Sequence, residues 1–192
     1  MITKQAVHKL FFALWPDEAV RQALVRLQSP VRGRLIPQEK LHLTMAFLGQ
    51  QPAEALPVLL DILHATHMPP LQLTLDCYGY FKRPRIAWAG MSAVPAGLLA
   101  AQGELMARLE AAGFSAATHG EFKPHITLAR EAKEAPAEFS LAPVVWEVEG
   151  LALVESLPDG RYVPLTKTGK PGSDPRVRPD LRPPRIGSDP WV

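Results

Sequence analysis

His42-Leu43-Thr44-Met45-Ala46 and His125-Ile126-Thr127-Leu128-Ala129 are two copies of one pattern: a His-x-Thr step, an apolar residue, then Ala. Both lie in runs with strand character. Side chains alternate faces along a strand. His42 and Thr44 therefore share one face, while Leu43, Met45 and Phe47 share the other. His125 and Thr127 are set against Ile126 and Leu128 in the same way. Each strand would bury its apolar face in a core and present an imidazole and a hydroxyl on the opposite face. Two such strands side by side would line a cleft with two His and two Thr. Six His and eight Thr in 192 residues give one such step by chance in about every four chains of this length, and three occur. The third, His64-Ala65-Thr66, ends a helical pattern and is followed by His67. Residues i and i+2 do not share a helix face, so that copy is set aside.

The length predicts one domain with a real core, large enough for two lobes. Cys77 is alone, so no intrachain disulfide is possible, which fits a reducing compartment. The apolar run 9–15 is too short to span a membrane and lacks the small-residue site of a secretory signal. The expectation is a cytoplasmic protein with no membrane partner. The net charge of +2 hides a division: residues 166–192 carry two Lys and four Arg against three Asp, leaving the preceding part near neutral. Any contact with RNA must then rest on a local patch.

An aromatic-rich strand at 9–15 is followed by a helix to about Gln28, with Asp17 and Glu18 in its first turn. Residues 29–40, with Pro30, Gly33 and Pro37, read as a loop into the first motif strand. A helix is expected over 53–64, with Pro57 tolerated in its first turn. Strands at 71–75 and 85–89 suggest a hairpin with a longer loop, and 94–112 is the longest helical pattern. A loop at 119–124 delivers the second motif strand, and strands follow at 144–148, 151–154 and 161–165. Interleaved helices with adjacent strand pairs argue for an α+β fold with antiparallel pairing. Beyond Leu165 six Pro, four Arg and a doubled Gly-Ser-Asp-Pro lack apolar periodicity. The expected organisation is a folded domain over 1–165 and a disordered, mildly basic Pro/Arg-rich tail over 166–192. That tail is either a solvated extension or a non-specific attractor of RNA phosphates.

No metal set is visible, and neither a phosphate-binding loop nor a dinucleotide fingerprint is present, so no cofactor or metal is expected. Two imidazoles on one cleft suit hydrolysis of a phosphodiester. One takes a proton from water, and the other protonates the leaving oxygen across phosphorus. Hydroxyls of Thr44 and Thr127 can donate to the non-bridging oxygens. Phe47 or Tyr162 could stack on a base, although Phe47 shares the Leu43 and Met45 face and is expected in the core.

Five landmarks in order resemble a known family: Leu10-Phe11-Phe12-Ala13-Leu14, the two His-x-Thr motifs in Leu41 to Gly49 and Phe122 to Arg130, Pro84-Arg85-Ile86-Ala87-Trp88-Ala89-Gly90, and Gly160-Arg161-Tyr162-Val163-Pro164-Leu165. Together they are similar to the two-histidine phosphoesterases, and within them to the RNA 2′,3′-cyclic phosphodiesterases, also called 2′-5′ RNA ligase-like proteins. The resemblance implies a two-lobed, pseudo-twofold α+β fold, with antiparallel sheets lining a central cleft and helices outside. It implies metal-free hydrolysis of RNA 2′,3′-cyclic phosphate ends to a 2′-phosphomonoester; whether the RNA is tRNA halves or general turnover products is left open, and a monomer is the default expectation. It assigns His42 as proton donor and His125 as proton acceptor, with Thr44, Thr127 and Arg130 on the phosphate. ATP-independent 2′-5′ ligation at the same site, or RNA-end binding without turnover, are the alternatives. Lys9 stands where the family usually has Arg.

Overall fold

The computed structural model describes residues 6–116, 121–136 and 142–168. Within them the order is β1 Val7–Leu14, α1 Glu18–Arg26, β2 Arg34–Leu35, β3 Leu43–Pro52, α2 Leu56–Ala65, β4 Leu71–Leu75 and β5 Cys77–Phe81. There follow β6 Ile86–Gly90, α3 Ala96–Ala111, β7 Ile126–Arg130, β8 Val144–Val148, β9 Leu151–Ser156 and β10 Tyr162–Lys167. Eight strands form one sheet in the order β10-β9-β1-β3-β7-β6-β5, with β2 added to β7, and β4 and β8 form a separate ladder. Every pairing is antiparallel, and the fold is α+β.

The large sheet has two halves that meet at one rung. β3 and β7 pair only through Leu43 and Ile126. Past that rung β2 occupies the edge of β7, with Arg34 opposite Arg130 and Leu35 opposite Ala129. One half is β10-β9-β1-β3 and the other is β2-β7-β6-β5, with a motif strand of each on the seam. An antiparallel rung carries a local twofold, which relates the two motifs. Counting out from it sets His42 level with Thr127 and Thr44 level with His125.

β1 shows how the sheet is covered on both faces. Leu10, Phe12 and Leu14 join the main core, which Leu24, Leu59, Leu63, Leu98 and Leu105 complete from α1, α2 and α3. Phe11, Ala13 and Trp15 alternate with them and form a second, smaller cluster with Ala152 and Val154, against which Tyr162 packs. A strand buried on both faces reads as an unbroken apolar run, which is why 9–15 stands out in the sequence. Asp17 closes the start of α1 by accepting the Val20 N–H at 2.8 Å. Among the described residues no helix is long and apolar enough to cross a membrane.

Three local expectations are corrected. The strand at 71–75 does not pair with the one at 85–89. β4 pairs with β8, and β6 pairs with β5. The reason is burial: β4 and β8 each bury alternate residues, so they match one another, whereas β6 is buried throughout and takes an interior place. β5 is half-buried along its whole length, so no alternation reveals Cys77-Tyr78-Gly79-Tyr80-Phe81 as a strand. The loop at 29–40 contains β2 and a 3₁₀ turn at Gln38–Lys40. Finally, β10 runs on to Lys167, and the Leu151 N–H donates to the Thr168 hydroxyl at 3.0 Å. The Pro/Arg-rich stretch from 169 onward lies outside the described residues.

Gln28 fastens β2 to the seam. Its buried side-chain amide donates to the carbonyls of Ile36 at 2.8 Å and Leu128 at 2.9 Å. Leu128 also accepts the Ile36 N–H at 2.8 Å. Replacing Gln28 by Leu strands at least the Ile36 carbonyl. The expected cost is about 1–3 kcal/mol, read by denaturant unfolding; no loss would mean that this clamp does not hold the edge.

Candidate active site

Each motif strand carries a bulge one residue beyond its Thr. On β3, Thr44 faces Ala13 and Ala46 faces Phe12, so Met45 is skipped. On β7, Thr127 faces Trp88 and Ala129 faces Ala87, so Leu128 is skipped. A bulge adds one residue to one side of the ladder and reverses the facing of the residues beyond it. The fifth residue after each His therefore returns to the cleft. In β3 that residue is Phe47, and in β7 it is Arg130. The core assignment for Phe47 is overturned on this ground: it is 39% exposed and lines the cleft.

The cleft has a volume of about 240 Å³. His42, Thr44, His125, Thr127 and Arg130 all line it, so the structure brings together all five residues singled out by the motifs. Lys9, Lys40, Ser156 and Tyr162 join them, and among the described residues no carboxylate does. A hollow of about 1100 Å³ lies elsewhere, against Arg26, Leu27 and Tyr78, and is lined by none of the motif residues. It is flanked by Ala135 and Ala142, and the chain between them includes residues 137–141, outside the described ones.

Both imidazoles are held the same way. The His42 Nδ1 lies 2.6 Å from the Lys40 carbonyl, and the His125 Nδ1 lies 2.7 Å from the Lys123 carbonyl. A carbonyl only accepts, so each Nδ1 carries the proton and donates it. In the neutral ring each Nε2 is then left with a lone pair. The Thr44 hydroxyl is 3.0 Å from the His42 Nε2 and donates to it in that state. His42 and His125 stand diagonally across the rung, a relation that sets Cα atoms about 7–8 Å apart. Their Nε2 atoms can then address opposite sides of one small group.

The two histidines differ in enclosure. Phe11, Trp15 and Tyr162 surround His42, with ring centroids 5.0, 5.8 and 5.5 Å from the imidazole. Phe81 and Trp88 flank His125 at 5.0 and 5.8 Å. The Trp88 indole lies on Gly79, its partner across the ladder, where any Cβ would take its place. Burial among these rings, with the positive charges of His125, Arg130 and Arg21, lowers the His42 pKa to about 4, against the pull of the Lys40 carbonyl. Burial, then Lys123 and Arg130, lowers that of His125 as well. Both are neutral at pH 7 in the free protein.

The two halves also repeat a lysine two residues before each His. The Lys40 Nζ sits 5.5 Å from the centre of the Tyr162 ring, and the Lys123 Nζ 4.9 Å from that of Trp88. The shared Lys-x-His-x-Thr spacing was available in the sequence and marks these positions. The rings around the histidines had no such local signal. They come from β1 and Trp15 just beyond it, β5, β6 and β10, far from the motifs along the chain. Among the described residues no group of three or more His, Cys, Asp or Glu is placed to hold a metal ion.

Comparison with known proteins agrees with this geometry. The sequence profile of the 2′-5′ RNA ligase superfamily matches residues 15–160. The RNA 2′,3′-cyclic phosphodiesterase of Thermus thermophilus is 39% identical over 166 residues, covering 77% of this chain and 81% of that one. The protein of the same name from Escherichia coli is 32% identical over 167 residues, covering 83% and 94%. The crystal structure of E. coli LigT complexed with 3′-AMP superposes with a TM-score of 0.74 at 31% identity, covering 85% of this chain and 98% of that one.

Titration followed by ¹⁵N NMR checks the imidazoles directly. Both are expected as the Nδ1–H tautomer at pH 7. On acidification His125 should protonate below pH 6.5, and His42 last, near pH 4. A His42 that titrates at or above 6.5 would contradict its enclosure.

Proposed function

Because this chain belongs to the 2′-5′ RNA ligase superfamily, we propose that its cleft hydrolyses RNA 2′,3′-cyclic phosphate ends to 2′-phosphomonoesters, without metal or nucleotide. The observation that carries this reading is the pair of diagonal imidazoles, each with Nδ1 tied to a carbonyl, the His42 Nε2 meeting the hydroxyl of Thr44, which lines the same cleft. His125, the more open of the two, is the base. Its Nε2 takes a proton from water, and the water oxygen bonds to phosphorus. The bond from phosphorus to the ribose 3′ oxygen breaks, and that oxygen takes a proton from the His42 Nε2. The products are a 2′-phosphomonoester and a 3′ hydroxyl, with one water consumed. Thr44, Thr127 and Arg130 stand where they can hold the non-bridging oxygens, on which negative charge is concentrated.

A proton donor at His42 must be charged when the substrate is bound. Burial and the neighbouring cations hold it neutral in the free protein. The phosphodiester anion supplies the opposite charge, which favours the imidazolium. Substrate binding and protonation of His42 are therefore linked: the pKa is low in the free protein and rises in the complex. The same geometry suits an alternative transfer, in which an RNA 5′ hydroxyl takes the place of water: its oxygen bonds to phosphorus, the 3′ oxygen leaves protonated and a 2′-5′ linkage forms, the reaction for which the superfamily is named. The folded region, whose last strand runs to Lys167, carries this site. The expected partner is an RNA end met by a monomer in the cytoplasm.

Product analysis on a short RNA ending in a 2′,3′-cyclic phosphate tests the mechanism. With EDTA present, the wild type should open the ring to the 2′-phosphate. His42→Ala and His125→Ala should each lose about 10²–10⁴-fold. Activity that chelation abolishes would overturn the metal-free scheme. The pH profile tests the linkage. The alkaline limb of kcat reports the complex and should lie above that of kcat/KM, which reports the free protein. Coincident limbs would remove the role of the substrate anion in charging His42.

A further inference from the structure

The β5–β6 turn, Lys82-Arg83-Pro84-Arg85, is exposed at all four residues and carries three cations. Among the described residues none of the three lies within ion-pair distance of a carboxylate. The turn is anchored at the rim of the cleft. Phe81, the residue before it, packs edge-on against His125 at 5.0 Å. Ile86, directly after it, is the ladder partner of Arg130. Arg85 has φ +63°, and its carbonyl accepts the Ala132 N–H at 3.0 Å, which folds the turn over the end of β7. On the other edge of β7, Arg34 is also opposite Arg130 and therefore shares its face. Arg34 is itself part-neutralised by Glu131 at 3.1 Å.

A line of positive charge thus leaves the cleft at Arg130 and continues over Arg34 and Arg85 to Lys82 and Arg83. The opposite rim has a different chemistry at the equivalent position, because the β3 bulge presents Phe47 where the β7 bulge presents Arg130. None of Lys82, Arg83 and Arg85 lines the cleft, so the turn stands outside the seat of the reacting phosphate. Such a ridge suits the backbone of a strand that extends from the site, because phosphate contacts set position and affinity without reading sequence.

We infer that Lys82, Arg83, Arg85 and Arg34 form a basic ridge that grips the RNA strand upstream of the reacting end. This rests on reading the cleft as an RNA-end site. The ridge makes the protein prefer polynucleotide ends over isolated cyclic nucleotides, and it does so through affinity and not through turnover of the bound end.

The test compares wild type, Lys82→Gln/Arg83→Gln and a control, Arg26→Gln/Arg108→Gln, which removes two cations from α1 and α3. Thermal unfolding confirms that all three fold. Two substrates are used: a dinucleotide cyclic phosphate and a ten-nucleotide RNA with the same end. The ridge variant should raise KM for the long RNA about tenfold and leave kcat for it unchanged. It should make the log–log dependence of affinity on salt shallower by about 1.4, two single-strand phosphate contacts at about 0.7 each. Kinetics on the dinucleotide should match wild type, and the control should match wild type on both. Equal losses on both substrates, an unchanged KM for the long RNA, or the same effect from the control would each overturn the ridge. Binding of the ten-nucleotide RNA carrying a 2′-phosphate, read by fluorescence anisotropy, needs no turnover. It separates failure of the ridge from failure of the hydrolase reading: wild-type binding that the ridge variant weakens supports the ridge even with no ring opening.

Discussion

One rung of ladder, Leu43 to Ile126, joins the two halves of the main sheet. Everything chemical in the molecule depends on how little pairing there is at that place. Were β3 and β7 zipped along their lengths, β2 could not have an edge of β7 to bind and the motif strands would present an ordinary sheet surface. The single rung instead fixes the relative height of the two motifs and lets the strands part on either side. Neighbouring pairings supply the rigidity that the seam lacks: β1 runs along the whole of β3, β6 along β7, and the Gln28 amide ties β2 to the Leu128 carbonyl. The bulges then turn Phe47 and Arg130 inward. Two irregularities at equivalent places in the two strands shape the opening more than any loop does.

The cleft is assembled from groups that oppose a positive charge on imidazole. Aromatic rings strip water from His42 and His125, and Lys9, Lys40 and Arg130 stand close by, with no carboxylate lining the cleft among the described residues. In the reaction proposed for the cleft, a phosphodiester anion balances these cations, and the protonation of His42 that acid catalysis requires comes with it. The chain as a whole carries only +2, so the attraction is a property of where the cations sit and not of their number.

Much of this was legible in the sequence, for definable reasons. The His-x-Thr pairs, the faces of β1 and the apolar stripes of the helices are set by local periodicity, and the fold class follows from their order. Phe47 was misplaced because period 2 holds only in an unbroken ladder, and nothing in Thr44-Met45-Ala46-Phe47 announces a bulge that is fixed by the partner strand. β5 escaped notice because Gly79 and two tyrosines give no alternation; the strand becomes intelligible only when Trp88 is seen lying on the glycine. The partners of β4 and the rings around His42 are long-range relations, and sequence periodicity carries no information about which distant element fills a given neighbourhood.

The half-sheet that contains His42 is sewn from both ends of the folded region. β1 and β3 come early in the chain, and β9 and β10 come last, while β5, β6 and β7 of the other half are drawn from the middle. During vectorial synthesis β1 must wait, its outer edge unpaired, until β9 emerges to cover it. Tyr162 completes the enclosure of His42 and arrives later still, on β10. The imidazole environment that distinguishes one histidine from the other is therefore a late product of biogenesis. A nascent chain can hold both motifs, and even the rung between them, before the enclosure that sets their chemical difference is complete.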